Sequence, residues 1–223
     1  MATVLMSFNN NPNVGLYAFV TDKFALVGRE VNKNYLDELA RILKVPVHSI
    51  NIAGTSLVGV FLVGNSDLVL VPSITFDGEL EQLKKLGINY KVFNTDFTCL
   101  GNNIVMNENG ALVSEDLPEK DVKNLSKILD IPVKRIQIAD TTTPGSCIIL
   151  RGDKALIHRG ASQEEIKIIE KTLKVKTIST TINLGIPYIK SGILCNDNGM
   201  IIGEASGPAE VMNAEEGLGF IDG

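Results

Sequence analysis

The sequence predicts an α/β ring, in which five ββαβ-like repeats stand around a pseudo-fivefold axis and the N-terminal strand closes the circle. Three observations carry this. Short apolar runs begin at Ala25, Val69, Ala111, Ala155 and Met200, separated by 44, 42, 44 and 45 residues. Turn-forming residues precede each run, and a stripe of aliphatic side chains at helical spacing follows the first four. The two ends of the chain are complementary, one lacking a strand that the other has to spare. Self-similarity at a period of this length marks a repeat architecture.

The elements follow in order. Residues 2–8 read as a strand standing alone before the first hairpin, and Thr3-Val4-Leu5-Met6-Ser7-Phe8 resembles Val47-His48-Ser49-Ile50-Asn51-Ile52. Hairpin turns are expected at Asp22-Lys23-Phe24, Ser66-Asp67-Leu68, Asn109-Gly110, Asp153-Lys154 and Asn198-Gly199. Asn-Gly between apolar runs is a strong hairpin signal and predicts φ > 0 at both central residues. Helices are then expected from Leu36, Leu39, Ile42 and Leu43; from Leu80, Leu83 and Leu86; from Val122, Leu125, Ile128 and Leu129; and from Ile166, Ile169 and Leu173. These stripes read as core-facing. Ser162 with Glu165 predicts a capping box, and Pro118 suits a first helical turn.

Each helix leads to a third strand, at residues 47–52, 90–93, 133–138 and 177–181. The fifth unit has a hairpin over 192–202 and a helix over 208–216, but the chain ends before a third strand. The N-terminal strand supplies it. Ring closure also covers sheet edges that would invite aggregation, whereas an open solenoid would call for polar capping units. The expected organisation is one domain, 1–223, with repeats near 14–57, 58–100, 101–144, 145–188, and 189–223 together with 1–13.

Hydrophobic residues make up 44% of the chain and charged residues 21%, the balance of an ordinary globular protein. The net charge of −5 excludes nucleic-acid binding by a general basic surface. Cys99, Cys147 and Cys195 form no CxxC pair, and their odd number argues for a reducing compartment. The amino terminus has neither a basic stretch nor a long apolar run, and the strongest apolar segment, 57–63, is far short of a membrane span. A soluble cytoplasmic protein without membrane association is expected.

Motifs of catalysis fail their context. The three cysteines fall at different places within their units, and only His48 and His158 are available as bases. Gly59 and Gly64 have the spacing of a phosphate-binding loop, but Asn65 stands where lysine is required, and the glycines read as strand and hairpin. GxSxG, HExxH and calcium-loop patterns are absent. No metal and no cofactor are expected.

The junctions between units carry a recognisable series. It runs Ser7-Phe8-Asn9-Asn10 before Val14-Gly15, then Ala53-Gly54-Thr55-Ser56-Leu57-Val58-Gly59, Gly64-Asn65-Ser66, Thr98-Cys99-Leu100-Gly101-Asn102, Asn107-Glu108-Asn109-Gly110-Ala111-Leu112-Val113, Thr143-Pro144-Gly145-Ser146 and Gly203-Glu204-Ala205-Ser206-Gly207-Pro208. In order and spacing these resemble the translation initiation factor 6 family in its archaeal form, over essentially the whole chain. Two places depart from the pattern: Pro144 replaces a small aliphatic residue, and Ile189-Lys190-Ser191-Gly192 replaces a more regular Val-Gly turn.

The resemblance implies the pentein fold, a five-bladed α-β propeller. It implies a monomer that binds the large (50S) ribosomal subunit on its intersubunit face and sterically prevents association with the small (30S) subunit. The implied partners are ribosomal proteins next to the sarcin–ricin loop of rRNA. Eukaryotic members also act in large-subunit maturation and are released by a translational GTPase with a Shwachman–Bodian–Diamond-type factor, which suggests the release route expected here. The phosphorylated C-terminal tail of those members has no expected counterpart after Gly223. By resemblance, Asn102, Gly101, Asn65, Asn9 and Asn10 are the expected ribosome contacts.

Charge adds a second set. Residues 145–188 carry +3, whereas 189–223 with 1–13 carry −5. Glu210, Glu215 and Glu216, with Glu204 and Asp222, are expected to attract a basic ribosomal protein, an effect felt mainly in association rate. Penteins also include guanidine-modifying enzymes with a nucleophilic Cys, a His and acidic residues. An enzyme losing activity on Cys195→Ala is therefore one alternative reading, and a generic scaffold ring is another.

Overall fold

The computed structural model describes residues 2–221. Asp222, named above with the acidic residues, lies outside them. The chain begins with β1 (Ala2–Met6) and then forms five units. The first comprises a 3₁₀ turn (Val14–Leu16), β2 (Ala18–Val20), β3 (Ala25–Gly28), α1 (Lys33–Leu43) and β4 (Val47–Ile50). The second has α2 (Val58–Phe61), β5 (Val63–Gly64), β6 (Val69–Pro72), α3 (Asp77–Lys85) and β7 (Tyr90–Phe93). The third has α4 (Leu100–Asn103), β8 (Ile104–Met106), β9 (Ala111–Ser114), α5 (Glu119–Leu129) and β10 (Val133–Ile136). The fourth has α6 (Pro144–Cys147), β11 (Ile148–Arg151), β12 (Lys154–His158), α7 (Gln163–Leu173) and β13 (Lys176–Thr180). The fifth has a 3₁₀ turn (Ile189–Gly192), β14 (Ile193–Cys195), β15 (Gly199–Gly203) and α8 (Pro208–Gly217).

These strands make five three-stranded sheets. In each, the first strand pairs antiparallel with the second, and a helical crossover brings the third in parallel on the other side. The fifth sheet takes its third strand from the N-terminus: β1 runs parallel to β15, with Leu5 opposite Ile202. The expected closure is therefore present. The middle strands β3, β6, β9 and β15 are buried throughout. That burial on both faces is why their sequences read as unbroken apolar runs instead of alternating ones.

The core lies between adjacent units. Phe19 and Leu26 of the first unit pack with Val58, Val69 and Leu83 of the second. Val63 and Leu70 pack with Leu100 and Leu125, Val105 and Leu112 with Ile148 and Ile169, and Leu156 with Ile193 and Ile202. Leu194 and Ile201 of the fifth unit complete the circle against Val14, Leu39 and Ile42. Each helix stripe is thus shared between two sheets, so no unit buries its apolar surface alone.

Three expectations are corrected. Each unit opens with a one-turn helical segment beside the axis, which the sequence does not announce, and Gly59 lies in one of them, α2, instead of in a strand. Three or four residues cannot display a 3.6-residue period, and these turns are set by close packing rather than by propensity. Second, Asn109-Gly110 and Asn198-Gly199 do not adopt φ > 0. The side chain two residues earlier holds the turn instead: Asn107 Oδ1 accepts the N–H of Asn109 and Gly110, and Asn196 Oδ1 those of Asn198 and Gly199. Such Asx turns bend the chain without left-handed residues. Third, Pro118 stands one residue earlier than expected, at the N-cap of α5. The capping box of α7 forms as expected, with Glu165 Oε2 accepting from Ser162 N at 2.6 Å.

Candidate functional site

Strand directions give the ring two unlike faces. The first strand of each unit runs from the one-turn segment to the hairpin, so the hairpins lie on one face. The one-turn segments, the N-termini of the long helices and the junctions after the third strands lie on the other. On that second face the chain takes true left-handed turns, at Asn9-Asn10, Ala53-Gly54, Ala139-Asp140 and Asn183-Leu184. Asparagine tolerates this conformation better than most residues, so backbone geometry explains the two asparagines at 9 and 10. Both are exposed, and Asn9 Nδ2 donates to the Glu30 carbonyl at 2.9 Å.

In four of the five units an acidic residue in the first turn of the long helix reaches back to the junction that precedes the unit; α1 has none. Glu79 accepts the N–H of Ala53 at 2.8 Å and of Gly54 at 2.9 Å, and Glu165 accepts that of Ala139 at 3.1 Å. Asp121 accepts the Thr95 hydroxyl at 2.8 Å. Glu210 accepts from Leu184 N, Gly185 N, Gly207 N and the Thr181 hydroxyl, at 3.0, 2.9, 2.9 and 2.7 Å. Burial opposes ionisation of Glu210, but these four donors outweigh it and hold the carboxyl below its ordinary value. Sequence reasoning took Glu210 only as surface charge. The available signal was that Glu79, Asp121, Glu165 and Glu210 recur at the same 42-, 44- and 45-residue spacing as the strands.

The expected contact residues divide between the faces. Asn102 lies in α4 at the axial mouth of the turn face, with Ser146, Tyr188, Lys190 and Ser191, around a cavity of about 400 Å³. It is half-buried, and its side chain makes no hydrogen bond within the described residues. Gly101, beside it, is buried; a Cβ there would overlap the carbonyl of Gly59, so glycine is required by the approach of the neighbouring unit. Asn65 is on the opposite face, where its Oδ1 accepts from Asp67 N at 2.9 Å and Leu68 N at 3.0 Å. It lines the hairpin mouth with Asp22, Glu108, Arg151 and Asp197. Glu215 and Glu216 lie further along α8, the first half-buried and the second exposed.

The turn face also carries apolar side chains that the sequence reading did not single out. Phe76 is 60% exposed and Leu184 79%, with Leu57, Ile74, Ile186 and Tyr188 exposed nearby. Phe76 lies over Gly54 at a helix N-terminus, and Tyr188 packs against His158 with ring centroids 5.9 Å apart. A face combining exposed aromatics with a free amide suits a macromolecular surface better than a small substrate.

Two of the three thiols are unsuited to nucleophilic chemistry. Cys147 and Cys195 are buried, and burial pushes their pKa values up to about 11 and about 12. Neither the axial cavities nor their mouths have a histidine in their lining. His158 Nδ1 accepts from Gly160 N, and burial lowers its pKa. Among the described residues, no group of three or more His, Cys, Asp or Glu side chains is placed to hold a metal, and no helix is long and apolar enough to cross a membrane.

Solved structures with this arrangement include the N-terminal domain of ArgZ, an arginine dihydrolase from the cyanobacterial ornithine–ammonia cycle. Its product complex aligns with a TM-score of 0.57 at 9% identity, covering 87% of this chain and 72% of that one. A likeness at that identity establishes the fold, pentein, as the resemblance implied. Sequence relatives are far nearer. The chain is 33% identical to translation initiation factor 6 of Thermococcus onnurineus, over 97% of this chain and 98% of the relative. It is 31% identical to the Pyrococcus horikoshii factor over 97% and 98%, and 31% identical to that of Sulfolobus acidocaldarius over 94% and 96%. The model of the eIF-6 family matches residues 3–217. Five interlocked units, the axial glycines and a match running through all of them agree, and the chain belongs to the eIF-6 family.

Proposed function

We propose that the protein is a ribosome anti-association factor. It binds the large subunit on its intersubunit face and sterically excludes the small subunit. The turn face of the ring docks, and Asn102 is its central polar contact. The observation that carries this reading is the coincidence on one face of an unpartnered amide, at a position that matches the family motif, with exposed Phe76, Leu184 and Tyr188. Buried apolar anchors with a few directed polar groups are what a stable interface requires. Ribosomal proteins near the sarcin–ricin loop are the partners, and a Shwachman–Bodian–Diamond-type factor with a translational GTPase provides release.

The whole chain acts as one cytoplasmic, monomeric domain without a cofactor. Asn9 and Asn10 flank the docking face, Gly101 sets the position of Asn102, and Asn65 supports the hairpin side. Glu215 and Glu216, in the last turn of α8 and so toward the hairpin face, act through long-range charge alone, while Glu210 is committed internally. Neutralising Glu215 and Glu216 together should slow association and flatten its salt dependence; an unchanged salt slope would remove them from that role. The raised thiol pKa values argue against guanidine chemistry.

Sucrose-gradient sedimentation with separated archaeal subunits tests the reading. Co-migration with the large subunit alone supports it. Failure of folded protein to bind either subunit, together with turnover of a guanidino compound, would replace it with the enzyme reading.

A further inference from the structure

The second residue of the one-turn segment is glycine in four units, Gly15, Gly59, Gly101 and Gly145, and lysine in the fifth, Lys190. A Cβ on each of the four would overlap a backbone carbonyl of the preceding unit. Only at the fifth place does a side chain stand, and it enters the axis. Lys190 lines both the inner, mainly apolar cavity of about 140 Å³ and the outer mouth of about 400 Å³.

Its ammonium group is short of partners. Nζ donates to the Gly101 carbonyl at 2.6 Å, leaving two of three donors without an acceptor among the described residues. None of their ion pairs includes Lys190. Burial alone lowers its pKa, to about 8, with no carboxylate contributing. At neutral pH the group still carries its charge, and a half-buried cation without a counter-charge is incompletely solvated. The nearby Asn102 amide has two free N–H donors facing the same cavity lining. The serines there differ. Ser146 donates its hydroxyl proton to the Thr143 carbonyl at 2.7 Å, and Ser191 donates to the Tyr188 carbonyl at 2.8 Å. The Ser146 oxygen also meets the Thr143 hydroxyl at 3.0 Å, and Asn13 Oδ1 lies 3.3 Å from Ser191 Oγ as a second acceptor for its proton; each serine oxygen still keeps a lone pair with which to accept.

We propose that the axial mouth binds a small protonated oxyanion, hydrogen phosphate, through the Lys190 ammonium and the Asn102 amide, with Ser146 and Ser191 accepting its hydroxyl. The arrangement supplies positive charge and donors on one side and acceptors on the other. An anion that carries its own proton satisfies both, whereas sulfate leaves the serine oxygens facing a second set of lone pairs. Departure of Lys190 from the glycine of the other four units thereby acquires a chemical consequence.

The test uses free protein, so it is independent of ribosome binding. Lysine side chains are labelled with ¹³C at Cε, and inorganic phosphate or sulfate is added at constant ionic strength. Phosphate should shift the Lys190 resonance saturably and move its titration midpoint upward from about 8, with sulfate bound roughly tenfold more weakly. Tyr188 and Cys195, the other titratable groups lining these cavities, are followed in parallel. Lys190→Gly, which restores the residue of the other four units, should abolish the phosphate effect, and Asn102→Ala should weaken it. An unsaturable shift of the wild-type Lys190 signal, sulfate bound as tightly as phosphate, or undiminished phosphate binding by Lys190→Gly would overturn the proposal.

Discussion

The ammonium of Lys190 and the carbonyl oxygen of Gly101 meet at 2.6 Å across the axis. They belong to the fifth and third units, which are not neighbours in the ring. Every other close approach at the axis joins adjacent units: Gly59 to the Gly15 carbonyl, Gly101 to that of Gly59, and Gly145 to that of Gly101. The axis is therefore held by a circle of backbone contacts and one polar brace through its middle.

Gly101→Ala tests that circle. The added methyl would overlap the carbonyls of Gly59 and approach that of Leu62. Since backbone must shift to admit it, a loss of roughly 1–3 kcal/mol or more is expected in urea unfolding. A wild-type midpoint would show that the units are free to separate.

Glu210→Gln should cost stability at neutral pH, because the charge-assisted bonds to Leu184, Gly185, Gly207 and Thr181 are weakened. A hydrogen bond to a charged group contributes about 1.5–3 kcal/mol net when buried, and less at this partly exposed carboxylate. The folded-state pKa is depressed, so this stability is present above the ordinary pKa of 4.5 and is lost as pH falls through the lower folded value. The difference between wild type and Glu210→Gln should thus shrink on acidification below 4.5. A difference independent of pH would contradict the assignment.

Much of this fold is legible in the sequence. The repeat period, the helical stripes and the resemblance of residues 3–8 to 47–52 predict the β1–β15 pairing that closes the ring. These features are legible because burial imposes a pattern on many residues at once. The one-turn axial segments are not, since Val58–Phe61 is too short to show a period. Nor are the left-handed turns: Asn109-Gly110 has the sequence of one and is held by Asn107 instead, while Ala53-Gly54 and Ala139-Asp140 are left-handed because Glu79 and Glu165 satisfy their N–H groups. The candidate site was legible at Asn102 only through resemblance. Its separation from Asn65 follows from strand direction, which no local motif encodes.

Asn102 and Asn65 make a paired test of the faces. Asn102→Ala removes no internal hydrogen bond, so thermal stability should stay within about 0.5 kcal/mol of wild type, while affinity for the large subunit falls. Asn65→Ala removes two turn hydrogen bonds and should destabilise by about 1 kcal/mol with affinity retained. The reverse pattern in binding would assign docking to the hairpin face.

The most direct measurement is light scattering of subunit joining. Large subunits are incubated with the protein at one equivalent and then mixed with small subunits. Joining should be suppressed in proportion to the protein bound, saturating at one copy per large subunit, and Asn102→Arg should restore it. Full joining amplitude, with the wild-type protein still attached to the large subunit, would contradict steric exclusion.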